Sequence, residues 1–129
     1  MPRSSEPEPR HEGGGRVLIM DDEPTILLTL RHYLQALGAE VVSCRQFDTA
    51  AAALKAQRFD LVLADLRMSG PNNADGIRLL RLARRVAPET RVVVMTGYGS
   101  EEARREVLDN GGEYCTKPID LAALKTLIP

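Results

Sequence analysis

Five side chains in this chain combine reactive chemistry with a shared position, each standing at the C-terminal end of a short, mainly apolar run. Asp21 and Asp22 follow Val17–Met20, Asp65 follows Leu61–Ala64, Thr96 follows Val92–Met95, and Lys117 follows Glu113–Thr116. Three carboxylates brought close together disfavour joint ionisation, and a divalent cation resolves that conflict. Oxygen-only ligands select a hard ion such as Mg²⁺, which keeps several waters and uses few carboxylates. An acidic metal cluster beside a lysine and a hydroxyl suits a transferring phosphoryl group: cation and ammonium offset the charge on its oxygens, and the hydroxyl donates a hydrogen bond. A carboxylate can then be the nucleophile. Asp65 stands alone at its strand end and is the natural nucleophile; the Asp21/Asp22 pair is better placed to hold the metal.

The elements around these residues explain how they could meet. Apolar runs alternate with helical patterns five times from Arg16 onward. After Val17–Met20, Pro24 suits a first helical turn, where its missing N–H costs nothing. Ile26, Leu27, Leu30, Leu34 and Leu37 recur at helical spacing, and Gly38 supplies a stop. Val41–Ser43 predicts a strand, and Asp48 or Thr49 can cap a helix running through Leu54. After Leu61–Ala64, a loop of turn formers spans residues 68–76. A helix through Ile77, Leu80, Ala83, Arg84 and Val86 is closed by Pro88. Glu101 and Glu102 favour the start of the next helix, which Gly111-Gly112 ends. Asp120 caps a last helix through Leu121, Leu124, Leu127 and Ile128. Strands apolar on both faces, alternating with helices, imply an α/β fold with a parallel sheet covered on both sides. In such a sheet every C-terminal strand end lies on one edge, and ligands bind there.

Bulk properties narrow the function. The 129 residues suffice for one domain with a hydrophobic core. A net charge of −1 gives no electrostatic case for nucleic acid or membrane surfaces. No apolar run approaches the roughly 20 residues that span a bilayer, and the N-terminus lacks a signal-peptide core, so a cytoplasmic location is expected. Residues 1–15, rich in Pro, Gly, Ser and charge, read as a disordered leader or linker, with 16–129 as the folded domain. Cys44 and Cys115 have neither disulfide-framework nor metal-site spacing.

The segments VLIMDDEP, DLVLADLRM, VVVMTGYGS and YCTKPID, in that order, resemble the motifs of response-regulator receiver domains of two-component phosphorelay systems, similar to chemotaxis regulators. The likeness runs from about Arg16 to the C-terminus. It implies a flavodoxin-like doubly wound (βα)₅ fold with parallel strands in the order 2-1-3-4-5. It implies that Asp65 accepts phosphate from a sensor histidine kinase or phosphotransfer protein, promoting only its own phosphorylation and dephosphorylation rather than acting as an enzyme on other substrates. Asp22 would ligate Mg²⁺ directly, Asp21 mainly through water, and the backbone carbonyl of Arg67 would complete the set. Thr96 and Tyr114 would form a switch pair, and the face of the fourth helix, fifth strand and fifth helix would be read by a downstream effector domain or protein, with homodimer formation on phosphorylation among its outlets.

Two departures stand out. Ser69 replaces a proline usual in the family, and PNNA lengthens the loop before Asp75-Gly76; because the resemblance places that loop beside the active site, it extends to the chemistry but not to kinase preference or dephosphorylation rate. Plainer roles stay open for single residues: Asp21, Asp22 and Glu23 as helix caps, Asp65 as a turn residue, Lys117 as a solvated charge, Tyr114 as packing, His32 and the Arg81, Arg84, Arg85 stretch as solvated surface. Two other functions compete as well. One is a Mg²⁺-dependent phosphohydrolase with an aspartyl nucleophile, the other a receiver-like module that binds partners without phosphorylation.

Overall fold

Parallel strands buried on both faces need continuous apolar runs, and this chain supplies them at its centre. The computed structural model describes residues 15–68 and 74–128. The expected leader, except Gly15, and the Ser69 substitution with residues 70–73 of the lengthened loop lie outside the described residues. The elements follow in strict alternation: β1 (Arg16–Met20), α1 (Pro24–Ala36), β2 (Glu40–Cys44), α2 (Phe47–Ala56), β3 (Leu61–Asp65), α3 (Asp75–Val86), β4 (Arg91–Thr96), α4 (Glu101–Asp109), β5 (Glu113–Thr116) and α5 (Leu121–Lys125). One five-stranded sheet runs β2-β1-β3-β4-β5, all neighbours parallel. This is the flavodoxin-like order that the sequence implied. Every residue of the central β3 is buried, whereas the edge strands β2 and β5 are only partly covered.

Strand side chains alternate between two layers, as the period of two requires. Leu18, Val62 and Val94 point into one core, with Leu54 of α2, Leu80 of α3 and Val107 of α4. Ile19, Leu63 and Met95 point into the other, with Leu30 and Leu34 of α1 and Leu124 of α5. Both cores are mainly aliphatic, each fully buried Leu, Ile or Val contributing about 1.5–3 kcal/mol by burial. Cys44 is buried and Cys115 half-buried; both are free thiols on opposite edge strands.

Local signals account for most element ends. Gly38 and Gly111 take positive φ values of 96° and 83° after α1 and α4, where an L side chain would be strained. Three details differ from expectation. The α2 helix begins at Phe47, before Asp48, and its N-cap Gln46 makes no side-chain capping bond; Phe47 packs against the core and lies 3.9 Å beneath the Arg78 guanidinium, which draws the helix start back by a residue. The α5 helix stops at Lys125, although Leu127 and Ile128 still pack on the core below α1. Arg84 is not simply solvated: its guanidinium donates to the Thr90 and Gly111 carbonyls, tying α3 to the loops before β4 and β5. His32 is exposed, as expected.

Candidate functional site

Hydrogen bonds that run on past the strand ends gather the reactive residues. Asp21 N–H donates to the Cys44 carbonyl at 3.0 Å, Leu66 N–H to Met95 at 2.7 Å, and Lys117 N–H to Thr96 at 2.8 Å. The C-terminal edge is thereby held as a platform. On it, Asp21, Asp65 and Thr96 are buried, at 0%, 6% and 3% exposure, and Asp22 is half-buried. Burial of three polar side chains on one edge is far from what capping or turn roles require, since those leave the group in water.

Oxygens of Asp21, Asp22 and Asp65 all lie within 4.8 Å of one another, close enough to share one ion. Lys117 Nζ sits among them, 2.8 Å from Asp21 Oδ2, 3.2 Å from Glu23 Oε1 and 3.3 Å from Asp65 Oδ1. Asp21 Oδ1 accepts the Glu23 N–H at 2.9 Å. Its buried Oδ2 has the Lys117 ion pair but no well-directed hydrogen bond. A fully buried carboxylate oxygen left this way is costly unless a further positive group faces it. The oxygen-only donor set therefore fits a hard divalent cation.

Electrostatics single out Asp65. Burial first, then the charges of Asp21 and Asp22, lift its carboxyl from 3.8 to about 6, with Lys117 offsetting part of the rise. Lys117 is opposed by its own burial, yet the close Asp21 carboxylate, the Asp65 charge and the bond to Glu23 raise it above the ordinary lysine range. The site thus holds one fixed cation and one carboxylate that gives up its proton reluctantly.

The hydroxyls of Thr96 and Tyr114 converge on the loop between β4 and α4. Thr96 Oγ1 donates to the Tyr98 carbonyl at 3.1 Å and accepts the Tyr98 N–H at 3.1 Å. Tyr114 packs its ring on the core beside α4, and its hydroxyl accepts the Ser100 N–H at 3.1 Å. Gly99 leaves room for that hydroxyl, since a Cβ there would clash with it. Arg67, half-buried two residues beyond Asp65, reaches across the same edge to donate to the Tyr98 carbonyl at 3.2 Å.

Asp21, Asp22, Asp65, Arg67, Thr96 and Lys117 all border this edge, and Tyr114 reaches its β4–α4 loop through its hydroxyl, whereas His32 and Arg84 lie away from it. Two participants were missed. Glu23 was read only as a cap, although it makes no side-chain capping bond and reaches Lys117 instead; its signal was a third acid in succession. Ser100, whose side chain accepts the Ala103 N–H at 3.0 Å to start α4, was legible as a serine before two glutamates.

A family model described as the response regulator receiver domain matches residues 17–129. The chain belongs to that family. Among curated relatives, the alginate biosynthesis transcriptional regulatory protein AlgB of Pseudomonas aeruginosa is 34% identical over 126 residues, which cover 93% of this chain and 27% of AlgB. Sensor protein GacS of Pseudomonas syringae is 33% identical over 88% of this chain and 13% of its own length. The receiver domain thus spans about a quarter or less of these relatives. Among solved structures, a CheY-like receiver domain protein of Methanospirillum hungatei superposes with a TM-score of 0.77 at 29% identity, covering 84% of this chain and 86% of that one. A beryllofluoride-activated NtrC4 receiver domain dimer gives a TM-score of 0.77 at 26% identity, covering 87% and 92%. Receiver domains of two-component response regulators are signalling modules, and the present chain is one. Among the described residues, no helix is long and apolar enough to cross a membrane.

Proposed function

We propose that this receiver domain is a phosphorylation-dependent switch in which Asp65 is the phosphoacceptor. The observation that carries the reading is the placement of the Asp65 carboxylate at the end of β3, 3.3 Å from the Lys117 ammonium and within the same acidic cluster as Asp21 and Asp22. An Asp65 oxygen attacks phosphorus of a donor phosphohistidine, an O–P bond forms, the N–P bond breaks, and the electron pair leaves on the imidazole nitrogen. Lys117 offsets charge on the transferred oxygens. Thr96 turns its hydroxyl from the Tyr98 carbonyl toward the phosphoryl group, and Tyr114 follows as the loop between them rearranges. Such a shift is driven by contacts that exist in only one of the two states. Asp21, Asp22, Asp65 and the Arg67 carbonyl would hold Mg²⁺, which when bound offsets negative charge on the phosphoryl oxygens. The donor would be a sensor histidine kinase or a phosphotransfer protein, and the recipient an effector domain or protein, or a second copy of the domain, in the cytoplasm. The domain promotes its own phosphorylation and dephosphorylation alone.

Incubation with Mg²⁺ and acetyl phosphate tests this. The protein is expected to gain one base-labile, hydroxylamine-sensitive phosphoryl group, with chemical-shift changes at Tyr114 and Thr96. Continuous turnover of donor without accumulated phosphoprotein would instead favour the phosphohydrolase. Partner binding with no labelling would favour the unphosphorylated module.

A further inference from the structure

Three carboxylates touch Lys117, and the phosphoacceptor reading uses only two of them. The third belongs to Glu23, whose carboxylate lies 3.2 Å from the ammonium although 94 residues separate the two in sequence. Its side chain is 59% exposed and stands outside the Asp21, Asp22, Asp65 cluster. Glu23 occupies the N-cap of α1, yet its carboxylate leaves the helix N–H groups alone and turns to Lys117. The backbone makes that reach reproducible, because the Glu23 N–H is fixed on Asp21 Oδ1 at 2.9 Å. Glu23 and Lys117 together form the polar end of an open groove of about 580 Å³ between α1 and the connection from β5 to α5.

We propose that Glu23 is a positioning residue that competes with the phosphoryl group for Lys117. In the resting site its carboxylate holds the ammonium together with Asp21 and Asp65. A phosphoryl group on Asp65 replaces the single carboxylate charge with up to two on its oxygens, about one further negative charge at the same ammonium, and Glu23 then faces it across Lys117. Its attraction to Lys117 is shared, its repulsion from the phosphoryl oxygens is new, and the resting state is favoured by the difference. Glu23 thereby limits how tightly the site retains a phosphoryl group. The inference rests on Asp65 being the phosphoacceptor, and it assigns the adjacent acid a restraining role that neither metal binding nor helix capping provides. Because Glu23 is half in water, solvent and salt screen the effect to a modest size.

The test compares the parent domain with Glu23→Gln, using beryllofluoride as a tetrahedral mimic of the phosphoryl group in the presence of Mg²⁺. Glu23→Gln is expected to bind beryllofluoride about threefold to tenfold more tightly, as loss of one screened like-charge contact implies, with the advantage shrinking as salt is raised. In metal-free protein the same substitution should shift the Lys117 ammonium resonance, a readout independent of phosphorylation. Glu23→Ser, which can cap α1 through its own hydroxyl, should reproduce both changes and separates them from any loss of helix stability. Equal or weaker beryllofluoride binding by both variants, or an advantage insensitive to salt, would overturn the restraint while leaving the phosphoacceptor intact. A parent domain that binds no beryllofluoride would overturn both.

Discussion

Asp65 and Lys117 hold opposite ends of one electrostatic arrangement, and each makes a prediction. The folded Asp65 carboxyl keeps its proton to about pH 6, whereas the unfolded one releases it near 3.8. Between those values the native state binds more protons, so the metal-free domain should lose stability as pH rises through that window. The loss from this group is on the order of 3 kcal/mol. Asp65→Asn should flatten the slope, as denaturant midpoints from pH 4 to 7 would show; an unchanged slope would mean the carboxyl is not desolvated. Lys117 is the counter-charge for a fully buried Asp21. Lys117→Ala should therefore destabilise the metal-free domain at pH 7 by about 3 kcal/mol, because it strands a buried charge, and a second change of Asp21→Asn should recover much of it. Additive losses in that double-mutant cycle would deny the pair. At this scale the site was largely legible: an acid, hydroxyl or lysine after four of the five apolar runs is a local pattern. Contacts between distant residues were not. Nothing near Glu23 announces that a lysine 94 positions away will take its carboxylate.

At the scale of elements, the strands were readable because a doubly buried strand must be continuously apolar, as Val17–Met20, Leu61–Ala64 and Val92–Val94 are. Helix ends were less so. The α2 helix starts at Phe47 because its ring is held by the core and by Arg78, a tertiary effect that outweighs the local claim of Asp48 to cap. Likewise the apolar spacing through Ile128 reads as helix, although the chain beyond Lys125 packs without continuing it. The seating of α3 depends on Gly76, where an added Cβ would lie 2.6 Å from the Asp65 carbonyl oxygen and 2.7 Å from Leu66 Cα. Backbone cannot yield as a flexible side chain would. Gly76→Ala should cost about 1–3 kcal/mol and displace the backbone that carries the phosphoacceptor; a thermal-melt comparison with wild type checks the first, and backbone amide shifts at Asp65 and Leu66 the second. Wild-type stability and unmoved shifts would mean α3 sits less tightly on β3.

For the whole molecule, the sheet order brings residues from four strands to one edge, and this explains how a chain with no dense sequence motif builds a site. The order agrees with burial: β3, buried throughout, sits at the centre, while β2 and β5 with their half-covered residues take the edges. Since a cation bound by the native cluster stabilises the fold by mass action, Mg²⁺ at 100 times its dissociation constant should add about 2.7 kcal/mol to domain stability. Asp22→Ala should abolish that gain yet leave the metal-free domain folded and no less stable, because it relieves repulsion among the acids. Unfolding of Asp22→Ala with a retained Mg²⁺ response would return Asp22 to a structural cap. The central claim, that this edge directs a phosphoryl group to one particular carboxylate, is tested most directly by locating the group. Protein treated with Mg²⁺ and acetyl phosphate, then reduced with borohydride and digested, should carry the reduced acyl position at Asp65 in a single peptide, and Asp65→Asn should carry none. A modified site at Asp21, Asp22 or any other residue of the wild-type protein would contradict it.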